Sequence, residues 1–208
     1  MSFDVSVARR LGARTIALDF TVGDGLTVLF GPSGAGKSSV LNMIAGLLTP
    51  DRGHVRVAGA TLFDAAARVD VPPERRRIGD VFQDGRLFPH RRVRANLLYG
   101  WHRAAAADRW IGLEEVVGFL GIGELLDRWP RSLSGGEAQR VAIGRALLSG
   151  ARTLLMDEPL ASLDGARRQE IMAVIERVRD DLRLPILYVT HDASEAERLA
   201  TQRVVMGV

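Results

Sequence analysis

Gly31-Pro32-Ser33-Gly34-Ala35-Gly36-Lys37-Ser38 fits the pattern G-x-x-x-x-G-K-[ST], a glycine-rich loop that cradles phosphate. The pattern is short, so its flanks decide. Leu26-Thr27-Val28-Leu29-Phe30 before it is an apolar run of strand length. After it, Val40, Leu41, Ile44, Leu47 and Leu48 recur at helical spacing. Strand, loop and helix in that order are the setting the loop requires. Its glycines let backbone N–H groups curl round a polyphosphate, and the helix N-terminus adds the positive end of its dipole. In that setting Lys37 is expected to reach the β- and γ-phosphates and the Ser38 hydroxyl to ligate Mg²⁺. Lys37 is also the only lysine among 28 Lys and Arg residues. A compact ammonium fits inside a ring of backbone amides where a planar guanidinium does not.

The bulk composition is that of an ordinary globular chain. Of 208 residues, 47% are apolar and 25% charged, enough for one domain with a sizeable core. No run approaches the ~18 apolar residues of a membrane span. The start, Met1-Ser2-Phe3-Asp4-Val5, lacks the layout of a signal peptide. There is no cysteine, which excludes disulfides and thiolate metal sites. A net charge of +3 does not argue for nucleic acid. A cytosolic location follows as the expectation, with any membrane association made through a partner.

Around the loop, residues 3–8 and 16–20 alternate in polarity and predict two strands flanking a turn at Leu11-Gly12-Ala13. His54 to Val57 predicts another, so the early region reads as a small antiparallel sheet. Residues 64–77 read as loop, and Arg75-Arg76-Arg77 within them as a solvated surface. Ile78 to Phe82 predicts a strand with Gln83 at its end, where α/β sheets bind ligands, although a solvated strand end explains a lone glutamine equally well. Val93 to Tyr99, Leu113 to Leu120 and Leu125 to Trp129 carry helical periodicity. The break in strand–helix alternation predicts a helical subdomain over about 86–150, inserted in a core of about 1–85 and 151–208.

Three further stretches carry chemistry. Ser134-x-x-Glu137 is a capping box opening a helix, which could account for it entirely. Gly135 and Gly136 inside that first turn are costly, however, and make sense where backbone must approach an anion. Thr153 to Met156 predicts a buried parallel strand ending in Asp157-Glu158-Pro159. Asp157 there suits Mg²⁺, and Glu158 suits polarisation of an attacking water. Ile186 to Thr190 predicts a second such strand, ending in His191. In register with Gln83 and Asp157, His191 is a candidate sensor of the γ-phosphate. Asp192-x-x-Glu195 then reads as the capping box of the next helix, and Arg203 to Met206 as a last strand.

In this order the phosphate loop, Gln83, Leu133–Glu137, Asp157–Glu158, Ser162-Leu163-Asp164 and His191 resemble the ATPase subunit of ABC transporters over essentially the whole chain. Phe82-Gln-Asp-Gly-Arg-Leu-Phe-Pro-His90 and Val93-Arg-Ala-Asn-Leu-Leu-Tyr-Gly100 look most like the ATPases of molybdate importers. Importers of sulfate, sugars and polyamines share much of the framework. The resemblance implies an α/β fold, a P-loop NTPase (RecA-like) core with a small antiparallel β subdomain and the inserted helical subdomain. It implies ATP on residues 31–39, Ser39 included, and Mg²⁺ on Ser38, Gln83 and Asp157. Glu158, His191, Gln83 and Lys37 would serve catalysis. A head-to-tail dimer would bring Ser134, Gly135 and Gly136 of one copy onto the nucleotide of the other.

Residues 86–100 would face membrane-embedded permease subunits, placing the chain on the cytoplasmic face of the membrane. An extracytoplasmic molybdate-binding protein would be an indirect partner, and nucleic acid would not be one. Such cassettes usually stack an aromatic from near residues 11–14 on adenine. Here the stretch is Leu-Gly-Ala-Arg, leaving Phe3 as one substitute. The C-terminal oxyanion-binding regulatory domain usual in molybdate importers is expected to be absent. A DNA-repair type of ABC ATPase fits less well, because no sustained heptads separate Lys37 from Ser134. A single-site phosphotransferase would leave Ser134–Gly136 unexplained, and a non-catalytic partner would leave Glu158 and His191 unexplained.

Overall fold

The computed structural model describes residues 1–207, so Val208, the end of the expected domain, lies outside them. Two five-stranded sheets organise the chain. The antiparallel one has the order β2-β1-β4-β5-β6, from β1 (Phe3–Leu11), β2 (Arg14–Val22), β4 (Arg52–Val57), β5 (Ala60–Asp64) and β6 (Val69–Asp70). The other is wholly parallel, in the order β10-β3-β9-β8-β7. It comprises β3 (Leu26–Phe30), β7 (Ile78–Val81), β8 (Thr153–Asp157), β9 (Ile186–Thr190) and β10 (Gln202–Val205). Helix α1 (Lys37–Ala45) follows β3. Next come α2 (Val93–Trp101), α3 (Leu113–Leu120), α4 (Gly135–Leu148), α5 (Gly165–Asp180) and α6 (Ala193–Leu199).

The parallel strands read as continuous apolar runs because both of their faces are covered. Alternate residues serve two cores. Leu26, Val28, Leu154, Met156, Ile186 and Tyr188 join the apolar faces of α2 to α6. Leu29, Leu155, Leu187 and Val189 join α1 and the inner face of the antiparallel sheet. The period-two geometry of a strand makes this division.

Four expectations are corrected. Residues 64–77 are not all loop: β6 pairs with β5, and a 3-10 turn spans Pro73–Arg75. A two-residue strand is too short to show alternation. Arg76 is not solvated. The residue is 5% exposed, and its guanidinium donates to the carbonyls of Met43, Ile44 and Val71, with Asp70 at 2.9 Å. It satisfies carbonyls left open at the C-terminus of α1, which a charge count along the sequence does not reveal. Leu125–Trp129 forms no helix beyond a 3-10 turn at Gly123–Leu125. Pro130, which lacks an N–H, closes the stretch before a nucleus can extend. Phe3 is fully buried under the antiparallel sheet and is removed as a candidate for stacking on a base.

Residues 86–150 contain α2, α3 and α4, whose apolar side chains run without a break into the core beneath β3, β8 and β9. Among the described residues no helix is long and apolar enough to cross a membrane.

Candidate nucleotide site

Parallel pairing brings distant strand ends to one edge. Phe30 pairs with Thr190, Val189 with Asp157, and Met156 with Val81. The chain therefore leaves the sheet at Gly31, Phe82, Glu158 and His191 side by side, the edge where parallel sheets collect ligands.

The loop after β3 is held from both sides. Met206, just past β10, donates its N–H to Phe30 O at 2.8 Å, and its own carbonyl lies against Gly31 so closely that a Cβ there would clash. Gly36 has φ +101°, and a Cβ on it would meet Ile16 at 2.6 Å. The start of α1 carries no side-chain cap and no acidic residue in its first turn. By contrast, Ser134, Asp164 and Asp192 cap α4, α5 and α6. The first N–H groups of α1 are thus left to an anion.

Lys37, 4% exposed, donates from Nζ to Gly31 O at 2.8 Å and Pro32 O at 2.9 Å. Glu158 Oε1 lies 3.8 Å from the same nitrogen, an ion pair without a direct hydrogen bond. Here the ammonium braces the loop as well as facing the cleft. Ser38 Oγ donates to Asp157 Oδ1 at 3.0 Å. Burial pushes the Asp157 carboxyl up, Ser38 and Lys37 oppose the rise, and the neighbouring Glu158 adds to it. A hydroxyl and a carboxylate at this spacing are hard oxygen donors suited to Mg²⁺. Among the described residues no group of three or more His, Cys, Asp or Glu could hold a metal.

Glu158 adopts φ +46°, a left-handed conformation costing roughly 1–2 kcal/mol for a residue with a Cβ. Its N–H is held by Val189 O at 3.1 Å. The turn carries the carboxylate between Lys37 and His191, whose Nδ1 lies 3.0 Å from Glu158 Oε2. Strain retained against a hydrogen-bonded scaffold marks a position where geometry matters. A carboxylate so placed can accept a proton from water, and the imidazole can share it.

The other expected residues are placed as follows. Pro32, Ser33 and Gly34 form the exposed rim of the loop, Ala35 is buried beneath it, and Ser39 lies in the first turn of α1. Gln83 is exposed just beyond β7. Ser134 and Glu137 do form the capping box, and the Ser134 backbone N–H helps hold the Glu137 carboxyl below its usual range. Gly135 abuts Leu163 and Gly136 faces Arg167, so their nearest neighbours belong to the segment before α5 and its first turn, not to the phosphate loop. Beside that loop a cleft of about 380 Å³ is walled by Leu11, Arg14 and Ile16. Arg14 Nη1 donates to Gly34 O at 3.0 Å. Leu11 and Arg14 fall in the 11–14 stretch where the resemblance expects an aromatic, whereas Ile16 is named by no motif. Leu11 is a large apolar side chain left 40% exposed at the hairpin tip.

The sequence profile of the ABC transporter family matches residues 16–161. The molybdenum import ATP-binding protein ModC of Rhodospirillum rubrum is 53% identical over 204 residues, covering 98% of this chain and 55% of that protein. The ModC of Brucella abortus (strain 2308) is 55% identical over 206 residues, covering 98% and 56%. The chain thus spans little more than half the length of these curated relatives. Among solved structures, the dimeric form of MJ0796, a bacterial ABC transporter cassette, superposes with a TM-score of 0.76 at 25% identity, covering 99% of this chain and 94% of that one. Its post-hydrolysis state bound to ADP and Pi superposes with a TM-score of 0.75. With glycine loop, strand-end carboxylates and histidine gathered on one parallel-sheet edge, the chain belongs to the ABC transporter family and has the P-loop NTPase fold of its ATP-binding cassettes.

Proposed function

We propose that the chain is the ATP-hydrolysing subunit of a molybdate importer, acting as a head-to-tail dimer beneath permease subunits on the cytoplasmic face of the inner membrane. The observation that carries the hydrolytic reading is the convergence of Lys37, Glu158 and His191, with Ser38–Asp157 beside them. The loop amides of residues 31–39 and Lys37 bind the triphosphate. Ser38, Asp157 and Gln83 would hold Mg²⁺, which would supply positive charge against the phosphate oxygens. Glu158 orients a water and takes its proton as oxygen attacks the terminal phosphorus and the bond to ADP breaks. His191 steadies Glu158 and senses the terminal phosphate. Ser134, Gly135 and Gly136 of the second copy cover that phosphate. The core spans about 1–85 and 151–208 and the helical subdomain about 86–150, with residues 86–100 toward the permease.

Molybdate as cargo is supported by two ModC proteins more than 50% identical over nearly the whole chain. An extracytoplasmic binding protein then delivers the oxyanion, and nucleic acid plays no part. Glu158→Gln, which keeps size and removes the base, should slow ATP turnover by about 10²-fold or more while ATP still binds. Normal turnover in that variant refutes the hydrolytic assignment. In the reconstituted importer, molybdate-loaded binding protein should stimulate hydrolysis. Stimulation by sulfate-, sugar- or polyamine-loaded protein instead would reassign the cargo.

A further inference from the structure

We propose that Arg168, acting through Asp192 and Glu195, is a positioning residue that holds His191 against Glu158. The inference rests on the hydrolytic reading above and assigns a role to a polar network outside its motifs.

His191 has little packing to fix it. Its side chain is half exposed, and a cavity of about 90 Å³ lies among Glu158, His191, Arg168 and Glu195. Its two chain neighbours are pinned instead. Thr190 Oγ1 donates to Glu195 Oε2 at 2.8 Å and accepts the Asp192 N–H at 3.0 Å. Tyr188 OH donates to the same Glu195 oxygen at 2.8 Å. Asp192 Oδ1 accepts the N–H and hydroxyl of Ser194 and the N–H of Glu195. Asp192 Oδ2 receives Arg168 Nη1 at 3.1 Å.

The expected Asp192–Glu195 capping box is therefore only half formed. Thr190 takes the backbone N–H that Glu195 would have accepted, and Glu195 turns inward until it is 3% exposed. Capping a helix of seven residues does not require a buried carboxylate, which costs free energy unless it is paired. Its charged neighbour is Arg168, whose Nε lies 3.9 Å from Glu195 Oε1 and makes no hydrogen bond of its own. Arg168 stands in the first turn of α5, its N–H bonded to Asp164 O at 2.8 Å. The same turn presents Arg167 to Gly136, and the preceding Leu163 meets Gly135. The guanidinium thus ties the segment beside Ser134–Gly136 to Asp192 directly and to Thr190 by way of Glu195.

The test is steady-state ATP hydrolysis by the chain with its permease, normalised to bound nucleotide, for wild type, Arg168→Ala, Arg168→Lys and Tyr188→Phe. Arg168→Ala should lower kcat by about 10-fold or more, because small misplacements of catalytic groups are costly. KM for ATP should change less than about 2-fold, since Arg168 is absent from the phosphate-loop cleft. Arg168→Lys, which keeps the charge, should recover part of the loss. Tyr188→Phe, which keeps the packing and deletes one donor, should show a smaller fall of the same kind. An unchanged kcat per bound nucleotide in Arg168→Ala overturns the inference, as does equal loss in the Ala and Lys variants. Absence of turnover in the wild type overturns the hydrolytic reading and this inference with it.

Discussion

Replacing Asp80 by asparagine tests how the parallel sheet treats charge beneath the site. Asp80 lies on β7, opposite Leu155 of β8 and mostly out of water. Burial pushes its carboxyl up to about 6 from 3.8, Arg86 opposes the rise, and Asp157 adds to it. Between pH 3.8 and 6 the native state holds more protons at this group than the unfolded chain does, so its ionisation makes stability fall as pH rises through that window. At 1.36 kcal/mol per pH unit, the full penalty above pH 6 is about 3 kcal/mol. Asparagine cannot ionise and escapes it. We expect Asp80→Asn to be more stable than wild type by about 2–3 kcal/mol at pH 8, and by less than about 1 kcal/mol at pH 4. Urea unfolding of both proteins at the two pH values measures the difference. An equal gap at pH 4 and pH 8, or a less stable variant at pH 8, would show that Asp80 is not carrying a buried charge.

Two further substitutions probe the support of the phosphate loop and of the far end of the helix that follows it. Gly31→Ala drives a methyl into the Met206 carbonyl and should cost about 1–3 kcal/mol while weakening ATP binding; unchanged thermal stability and affinity would refute this fit. Arg76→Met leaves the carbonyls of Ile44 and Val71 without their donor, and Met43 O with only the Gly46 N–H, and should cost about 2–4 kcal/mol in urea unfolding. Arg76→Lys should recover little of that, because an ammonium cannot reproduce the fork.

The residues that could be read directly are those whose role is set by near neighbours in the chain. The strand, loop and helix at 26–48 announce themselves through periodicity and glycine spacing. The carboxylate pair at 157–158 is visible as the polar end of an apolar run. The Ser134–Glu137 box is local, and it formed as expected. Arg76 escaped because its partners on α1 are more than thirty residues away, so a triplet that looks solvated holds one buried member. Phe3 could be offered to a base only while the packing of its strand was unknown. Glu195 fits a capping box by spacing, yet Thr190 outcompetes it for the backbone N–H once β9 and α6 meet.

The amino-acid order alone determined which chemical groups the chain carries: a glycine-rich loop with one lysine, hard oxygen donors and strand-end carboxylates. It did so because backbone freedom, charge and side-chain length are properties of each residue and its immediate neighbours. Only the folded chain decided which groups meet. Parallel pairing places the ends of β3, β7, β8 and β9 on one edge, and Glu158 is turned there at φ +46° between Lys37 and His191. Those contacts depend on sheet register and on two cores packing against opposite faces, which no local pattern encodes.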